Sequence, residues 1–186
     1  TQGLLASSGL IDTTYSPLAQ AFRFRYDKTN HQVQAGFTTT GTCTSLAAMS
    51  SGVNTVPADS WSLISLEFTG SAENLYVGGT KVATYGCTGT IVQAGYEAVS
   101  LGWGESLGIL MNNSGLYAFS GLIGPVRFSN NARYGGSNYT APTATWTYDG
   151  NTTALINWEE NVNSVAWGAK TAYMSGGYNY FQFSRP

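Results

Sequence analysis

Apolar and polar side chains alternate strictly from residue 21 to residue 27, with Phe22, Phe24 and Tyr26 on one face and Arg23 and Arg25 on the other. A period of two over that length is the signature of a half-buried antiparallel strand. Lys28-Thr29-Asn30-His31 then supplies a polar turn, and Gln32 to Phe37 returns with the same period. The two segments are therefore predicted to form a hairpin. Upstream, Gln2 to Ser7 carries Leu4-Leu5 and reads as a short strand that ends at Ser8-Gly9. Downstream, Thr38 to Thr55 has little hydrophobic content apart from Leu46 and Met49, which predicts a long loop.

The same rhythm of short strand and turn continues along the chain. Pro57-Ala58-Asp59-Ser60 introduces a predicted strand from Trp61 to Thr69. Asn74 to Ala83 is a hairpin around Gly78-Gly79, which supplies the positive φ angles of a tight turn. From Tyr96 to Trp103, Val99, Leu101 and Trp103 share a face. Leu107 to Met111 and Leu116 to Phe119 pair around Asn112-Asn113-Ser114-Gly115, and Ile123, Val126 and Phe128 mark a further strand. Pro125 lacks a ladder donor and belongs at a bulge or an edge. No segment of ten or more residues holds a helical period. The pattern predicts an all-β, two-sheet antiparallel sandwich whose core forms between inward-facing side chains.

Three phrases in order also carry a family resemblance. They are the Trp61-led strand, Leu75-Tyr76-Val77-Gly78-Gly79 followed by Val82, and Gly121-Leu122-Ile123-Gly124-Pro125-Val126-Arg127 leading to Ala132-Arg133-Tyr134, Pro142 and the return strand Ala154 to Trp158. Together they resemble the concanavalin A-like, laminin-G-like jelly-roll domains of extracellular and phage tail proteins. The resemblance covers roughly Trp61 to Trp158 and implies one jelly-roll domain over residues 1–186, with an unmatched, strand-like tail at 162–186. It also implies that a strand normally present before Gln2 is missing, and that Trp61 plugs the core. Where the family commonly carries an acidic residue, this chain has Gly124-Pro125, so no metal or ligand role is carried over to that strand.

Composition narrows the function classes. Only 10% of the 186 residues are charged, against about 25% in ordinary domains. With no Lys/Arg cluster to neutralise a row of phosphates, nucleic acid is not an expected partner. The apolar runs are far shorter than the roughly 20 residues needed to cross a bilayer, so membrane insertion is not expected and a soluble protein is read. Thr1 is either a processed terminus or a fragment boundary. Cys43 and Cys87 leave two readings open, one disulfide or two separate buried thiols. The Asn-x-Ser/Thr sequons at Asn112, Asn138 and Asn151 carry little weight in a chain so rich in these residues.

Catalysis would leave a trace in the residue inventory. His31 is the only histidine and lies in a turn, so a nucleophilic triad would rest on that one ring. No Cys/His spacing suits zinc. Calcium prefers clustered carboxylates, whereas Asp12, Asp27, Asp59 and Asp149 are scattered, and no cofactor or calcium site is assigned. A glycoside hydrolase needs two facing carboxyl groups. The nearest candidates are Glu97 with Glu105, too far apart along one strand, and Glu159-Glu160, which point to opposite faces.

Aromatic side chains, 13% of residues, are the remaining resource. Trp61, Trp103 and Trp158 fall on core-facing positions and Trp146 resembles a loop anchor. Tyr134, Tyr139, Trp167 and Tyr178 lie in turns or in the tail and are the expected ligand-binding residues, since Tyr and Trp offer a flat apolar face with a polar edge. The first expectation is a non-catalytic recognition module, extracellular, on a cell surface or on a virion, that binds a glycan or host-surface receptor. The second is a structural subunit of a fibre or pilus-like assembly, a homo-oligomer or filament completed by strand exchange at sheet edges. A glycoside hydrolase is third.

Overall fold

Alternating, β-branched and aromatic segments do form strands in the computed structural model, which describes residues 2–9, 22–43, 49–91, 97–101, 124–156, 166–167, 172–174 and 180–183. Among these residues every element is a strand and every pairing is antiparallel. In chain order they are β1 (Gln2–Gly9), β2 (Phe22–Asp27), β3 (Gln32–Phe37), β4 (Met49–Ser50), β5 (Ile64–Phe68), β6 (Ala72–Val77), β7 (Thr80–Gly86), β8 (Glu97–Leu101), β9 (Val126–Ser129), β10 (Thr152–Ile156), β11 (Ala166–Trp167), β12 (Ala172–Met174) and β13 (Tyr180–Phe183).

The strands make three sheets. The largest has the order β12-β13-β8-β1-β2-β3-β4, and the two smaller ones are β5-β6-β7 and β11-β10-β9. After the β2–β3–β4 run the chain leaves the large sheet to build the β5–β6–β7 meander. It then returns as β8 on the far side of β1. The tail strand β13 pairs with β8 and carries β12 as the edge, while β11 pairs with β10, so the described strands of the segment unmatched by the resemblance all pair within this chain.

The predicted β2–β3 hairpin is present, with Phe24 opposite Ala35 and Tyr26 opposite Val33. Its four-residue turn is held by Asp27, whose carboxylate accepts from the Thr29 and Asn30 amides and from the Asn30 side chain. Those hydrogen bonds hold the Asp27 carboxyl at about 2. Inward alternation on β3 buries Val33 and Ala35 completely. They meet Met49, Val56 and Leu75, with Phe24, Tyr26, Ile64, Leu66, Val77, Val82 and Ala83 packed around them. This is the shared core of two sheets, since β3 lies against β5 and β6 while β4 lies against β7. Phe37 touches Phe68 across the same gap, and Phe22 touches Phe128 of β9, which brings the third sheet against β2.

Two expectations from the sequence are corrected. The segment 38–55 is not one long loop: Thr39 bridges to Ile91, Met49–Ser50 pairs with β3, and Cys43 is joined to Cys87 by a disulfide with a Cα separation of 5.2 Å. Threonine hydroxyls stitch this region, with Thr39 Oγ1 donating to the Thr88 carbonyl and Thr42 Oγ1 accepting from the Thr88 amide. Gly41 is required there, because a Cβ would stand 2.2 Å from the Thr88 oxygen. The strand predicted from Trp61 begins only at Ile64, and Trp61 is 71% exposed rather than in the core. Pro57 and the left-handed Asp59 (φ 57°) keep the chain out of extended pairing up to that point. Trp103, Trp158, Tyr178, Asn112 and the segments 107–119 and 157–165 lie outside the described residues.

The β6–β7 turn is as expected, with φ of 61° at Gly78 and 84° at Gly79. Gly79 has a second duty, because its carbonyl accepts from the Tyr139 amide and a Cβ there would meet the Tyr139 oxygen at 2.1 Å. Gly78 faces open space. Gly78→Ala is therefore expected to cost about 1 kcal/mol of backbone strain, and Gly79→Ala at least about 2 kcal/mol more. Urea denaturation midpoints of the two variants measure the difference, and equal losses would show that the crossing of residue 139 does not constrain the turn.

Candidate ligand-binding surface

Alternation along β5 and β6 sends Ser65, Glu67, Asn74 and Tyr76 to the face of the small sheet opposite the core. That face is covered by the loop after β9. Glu67 is 5% exposed, and its carboxylate accepts the consecutive amides of Tyr134 (2.6 Å), Gly135 (3.1 Å) and Gly136 (2.8 Å) together with the Tyr76 hydroxyl (2.8 Å). Successive amides converging on one anion form a backbone nest, made possible by positive φ at Gly135 (56°) and Gly136 (74°). The Ala132-Arg133-Tyr134 turn is thus a covering loop held by a buried carboxylate.

Tyr134 and Tyr139, both expected as ligand-binding residues, are brought together there. Their rings stack at 3.7 Å with an interplanar angle of 5°, and Tyr76 meets each edge-on at 5.3 and 5.4 Å. The Tyr139 hydroxyl is 2.6 Å from Ser65 Oγ, and burial pushes its phenol up to about 12. Burial, then the hydrogen bond to Glu67, holds the Tyr76 phenol well above its ordinary range. Each of Tyr134 and Tyr139 gives one ring face to the other, so the cluster seals the loop onto the sheet. Arg133 anchors the same loop from the other side by a bidentate pair to Asp149 (2.6 and 2.8 Å). Arg133 holds the Asp149 carboxyl well below the usual carboxylate range. Trp146 is half-buried beneath the Arg127 guanidinium, 4.8 Å from its ring centroid. Trp167 lies in β11, whose side chains are not described, and Tyr178 lies outside the described residues.

Among the described residues the most exposed aromatic ring, ahead of Tyr148 and Tyr85, which are also exposed, is that of Trp61. It ends a loop whose shape is fixed by the neighbouring hairpin turn: Asn54 and Val56 amides donate to the Asn30 and His31 carbonyls, and the Tyr26 hydroxyl donates to the Val56 carbonyl. The same hydroxyl lies 2.8 Å from His31 Nδ1, so the sole histidine is part of this brace. Asn54 and Asp59 both take left-handed backbone conformations, with φ of 60° and 57°. The edge of the indole passes over Gly124, where an added Cβ would stand 3.3 Å from Trp61 Cζ3. A loop braced at Asn54 and Val56, an absent side chain at Gly124 and a 71% exposed indole together present an apolar surface, flanked in sequence by Asp59, Ser60 and Ser62. Pattern reading places Trp61 at the head of a strand; the breaker-rich Pro57-Ala58-Asp59-Ser60 run is the signal that it belongs to the loop instead.

The carboxylates are engaged elsewhere. Glu67 and Glu73 occupy opposite faces of the small sheet, since Glu67 pairs with Asn74 and Glu73 with Phe68. Glu73 is fully buried on the core side, where Oε1 accepts the Phe37 amide at 2.9 Å and burial raises its carboxyl to about 7. Asp27 and Asp149 hold turns, Asp59 stands in the Trp61 loop, and Asp12, Glu105, Glu159 and Glu160 lie outside the described residues. Glu97 lies in β8. The sequence pattern alone does not single out Glu67 or Glu73, although the alternation of β5 already puts Ser65 and Glu67 away from the core. No family model, curated protein or solved structure matches this chain.

Two stability predictions follow from the carboxylates. Glu67→Ala leaves three amides and one phenol without their acceptor, and a loss of about 3–5 kcal/mol is expected in urea denaturation; a loss under about 1 kcal/mol would contradict the nest. Glu73 holds its proton in the folded chain up to about 7, against an ordinary value of 4.5. Its contribution is therefore full below about pH 4.5 and is lost as pH rises through about 7, a decline on the order of 3 kcal/mol. Comparing the wild type with Glu73→Gln isolates this term, because the variant lacks the decline. Parallel stability profiles from pH 4.5 to 7.5 would show that Glu73 titrates normally.

Proposed function

We propose that this chain is a concanavalin A-like jelly-roll sandwich that serves as a non-catalytic recognition module on an extracellular or virion surface and binds glycan against Trp61. The observation that carries the reading is the solvent-facing indole at the end of a braced loop. An indole has a flat apolar face that fits the C–H face of a pyranose ring. Because the loop is braced against the 28–31 turn at Asn54 and Val56, part of its ordering precedes binding. Asp59, Ser60 and Ser62 supply acceptors and hydroxyls of the kind that bond sugar hydroxyl groups. Low charge supports a neutral ligand. So does the structural employment of Glu67, Glu73, Asp27 and Asp149.

Within this reading Tyr134 and Tyr139 position the loop after β9, while Trp167 and Tyr178 remain the tail aromatics proposed for the same ligand. Strand exchange between neighbours draws less support. The described tail strands pair within the chain's own sheets, and the described edges of the large sheet are strands of two and three residues, which leaves the seven-residue edge β7 of the small sheet as the longest template for another chain.

Glycan-array binding with the intact chain tests the proposal. The wild type is expected to bind a defined neutral glycan class, and Trp61→Ala to weaken that binding by about tenfold or more, which corresponds to about 1.4 kcal/mol. Tyr134→Ala is expected to lower stability first. Unchanged binding in Trp61→Ala, or no glycan bound by the wild type, would overturn it.

A further inference from the structure

Three segments converge on one buried point: Cys43 closes the Thr39–Cys43 loop, Cys87 directly follows β7, and Glu73 lies on β6 beside it. The two sulfurs and a Glu73 carboxylate oxygen all lie within 4.8 Å of one another. Cys43 and Glu73 are 0% exposed and Cys87 is 3% exposed. Glu73 Oε1 accepts the Phe37 amide, but Oε2 has no hydrogen-bond partner. A buried carboxylate oxygen with no donor is costly, and the cost is removed by a proton or by a cation.

We propose that in the reduced chain Cys43, Cys87 and Glu73 form a zinc-binding site, and that metal and disulfide are alternative occupants of the same position. Two thiolates and a carboxylate are a donor set that zinc accepts, with water as the fourth ligand. Zn–S bonds of about 2.3 Å at tetrahedral angles put two sulfurs about 3.8 Å apart, so opening the disulfide and small side-chain rotations suffice. The Phe37 amide would orient the carboxylate as an outer-shell donor.

The chemistry balances. A dithiol reductant supplies two electrons and two protons and becomes its disulfide, or a phosphine supplies two electrons and, with one water giving the oxygen and the two protons, becomes its oxide; the S–S bond breaks and each sulfur takes a proton. Zinc then replaces the two thiol protons and any proton on Glu73, all of which leave to solvent. Reoxidation by a small-molecule disulfide, which takes the two electrons and leaves as two thiols, expels the metal, because a disulfide sulfur is no longer a thiolate ligand.

The test uses the full chain, reduced with a phosphine, freed of reductant without oxygen, and titrated with Co²⁺ as a spectroscopic stand-in for Zn²⁺. Reduced wild type is expected to take one equivalent with the visible absorption of a tetrahedral thiolate site, and the oxidised protein none. Glu73→Gln is expected to bind at least about tenfold more weakly, and Cys43→Ser to show no thiolate site. Zn²⁺ is also expected to raise the thermal midpoint of the reduced wild type by more than that of Glu73→Gln. If reduced wild type shows no such spectrum, the site does not exist. If Glu73→Gln matches wild type in affinity and in thermal shift, two thiols alone hold the metal and the proposal is overturned.

Discussion

A single buried carboxylate organises this structure. Glu67 sits on the outer face of the β5–β6–β7 sheet and receives three consecutive amides of the loop after β9, plus the Tyr76 hydroxyl. Charge-assisted hydrogen bonds are worth roughly twice neutral ones, and here four converge on two oxygens. No regular ladder holds residues 130–148, so the loop is held by this anchor, the Tyr134–Tyr139 stack and the Arg133–Asp149 pair, together with the Tyr139 amide on the Gly79 carbonyl and the Lys81 amide on Asn138 Oδ1. Exposure of the nest to water would return all four donors to solvent competition.

The small sheet is therefore covered on both faces by different means. Its core face meets β3 and β4 through aliphatic side chains, where burial of Val33, Met49 and Leu75 each contributes about 1.5–3 kcal/mol. Its outer face meets a loop through polar groups that are individually satisfied. Glu73 is the exception on the apolar side, a carboxyl among hydrophobic neighbours and next to the disulfide, with one oxygen unpaired. Thr38 Oγ1 is a second buried polar atom without a partner, whereas threonine stitching resolves polar burial locally in the 39–43 and 87–91 segments.

Period-two alternation made β2 and β3 legible, with a polar turn between them, while β6 and β7 were legible from the Gly78-Gly79 turn although β6 is buried on both faces. Edges and loops were less legible. Trp61 reads as a core residue only if the strand is assumed to start there; Pro57 and Asp59 delay pairing to Ile64 and leave the indole outside. Tyr134 and Tyr139 read as exposed because they lie in a turn-rich segment, yet long-range packing against Tyr76 joins them. The nest was not legible at all, since residues 67 and 134–136 are brought together by the fold and no local pattern links them. The cysteine pairing had the same character: separation along the chain says nothing of the threonine ladder that brings Cys43 to Cys87.

Function, on this account, follows from which aromatic groups the fold spends inside and which it leaves outside. The Tyr76–Tyr134–Tyr139 cluster is committed to holding the loop, while the Trp61 indole is presented to solvent on a braced turn. All of this presumes that Glu67 fixes the loop. Amide hydrogen exchange read residue by residue tests that presumption most directly. The account predicts that the Tyr134, Gly135 and Gly136 amides are protected to the level of the β5–β6 ladder, although they lie in an irregular loop. Exchange of these three amides at the rate of an open, solvated loop would contradict it.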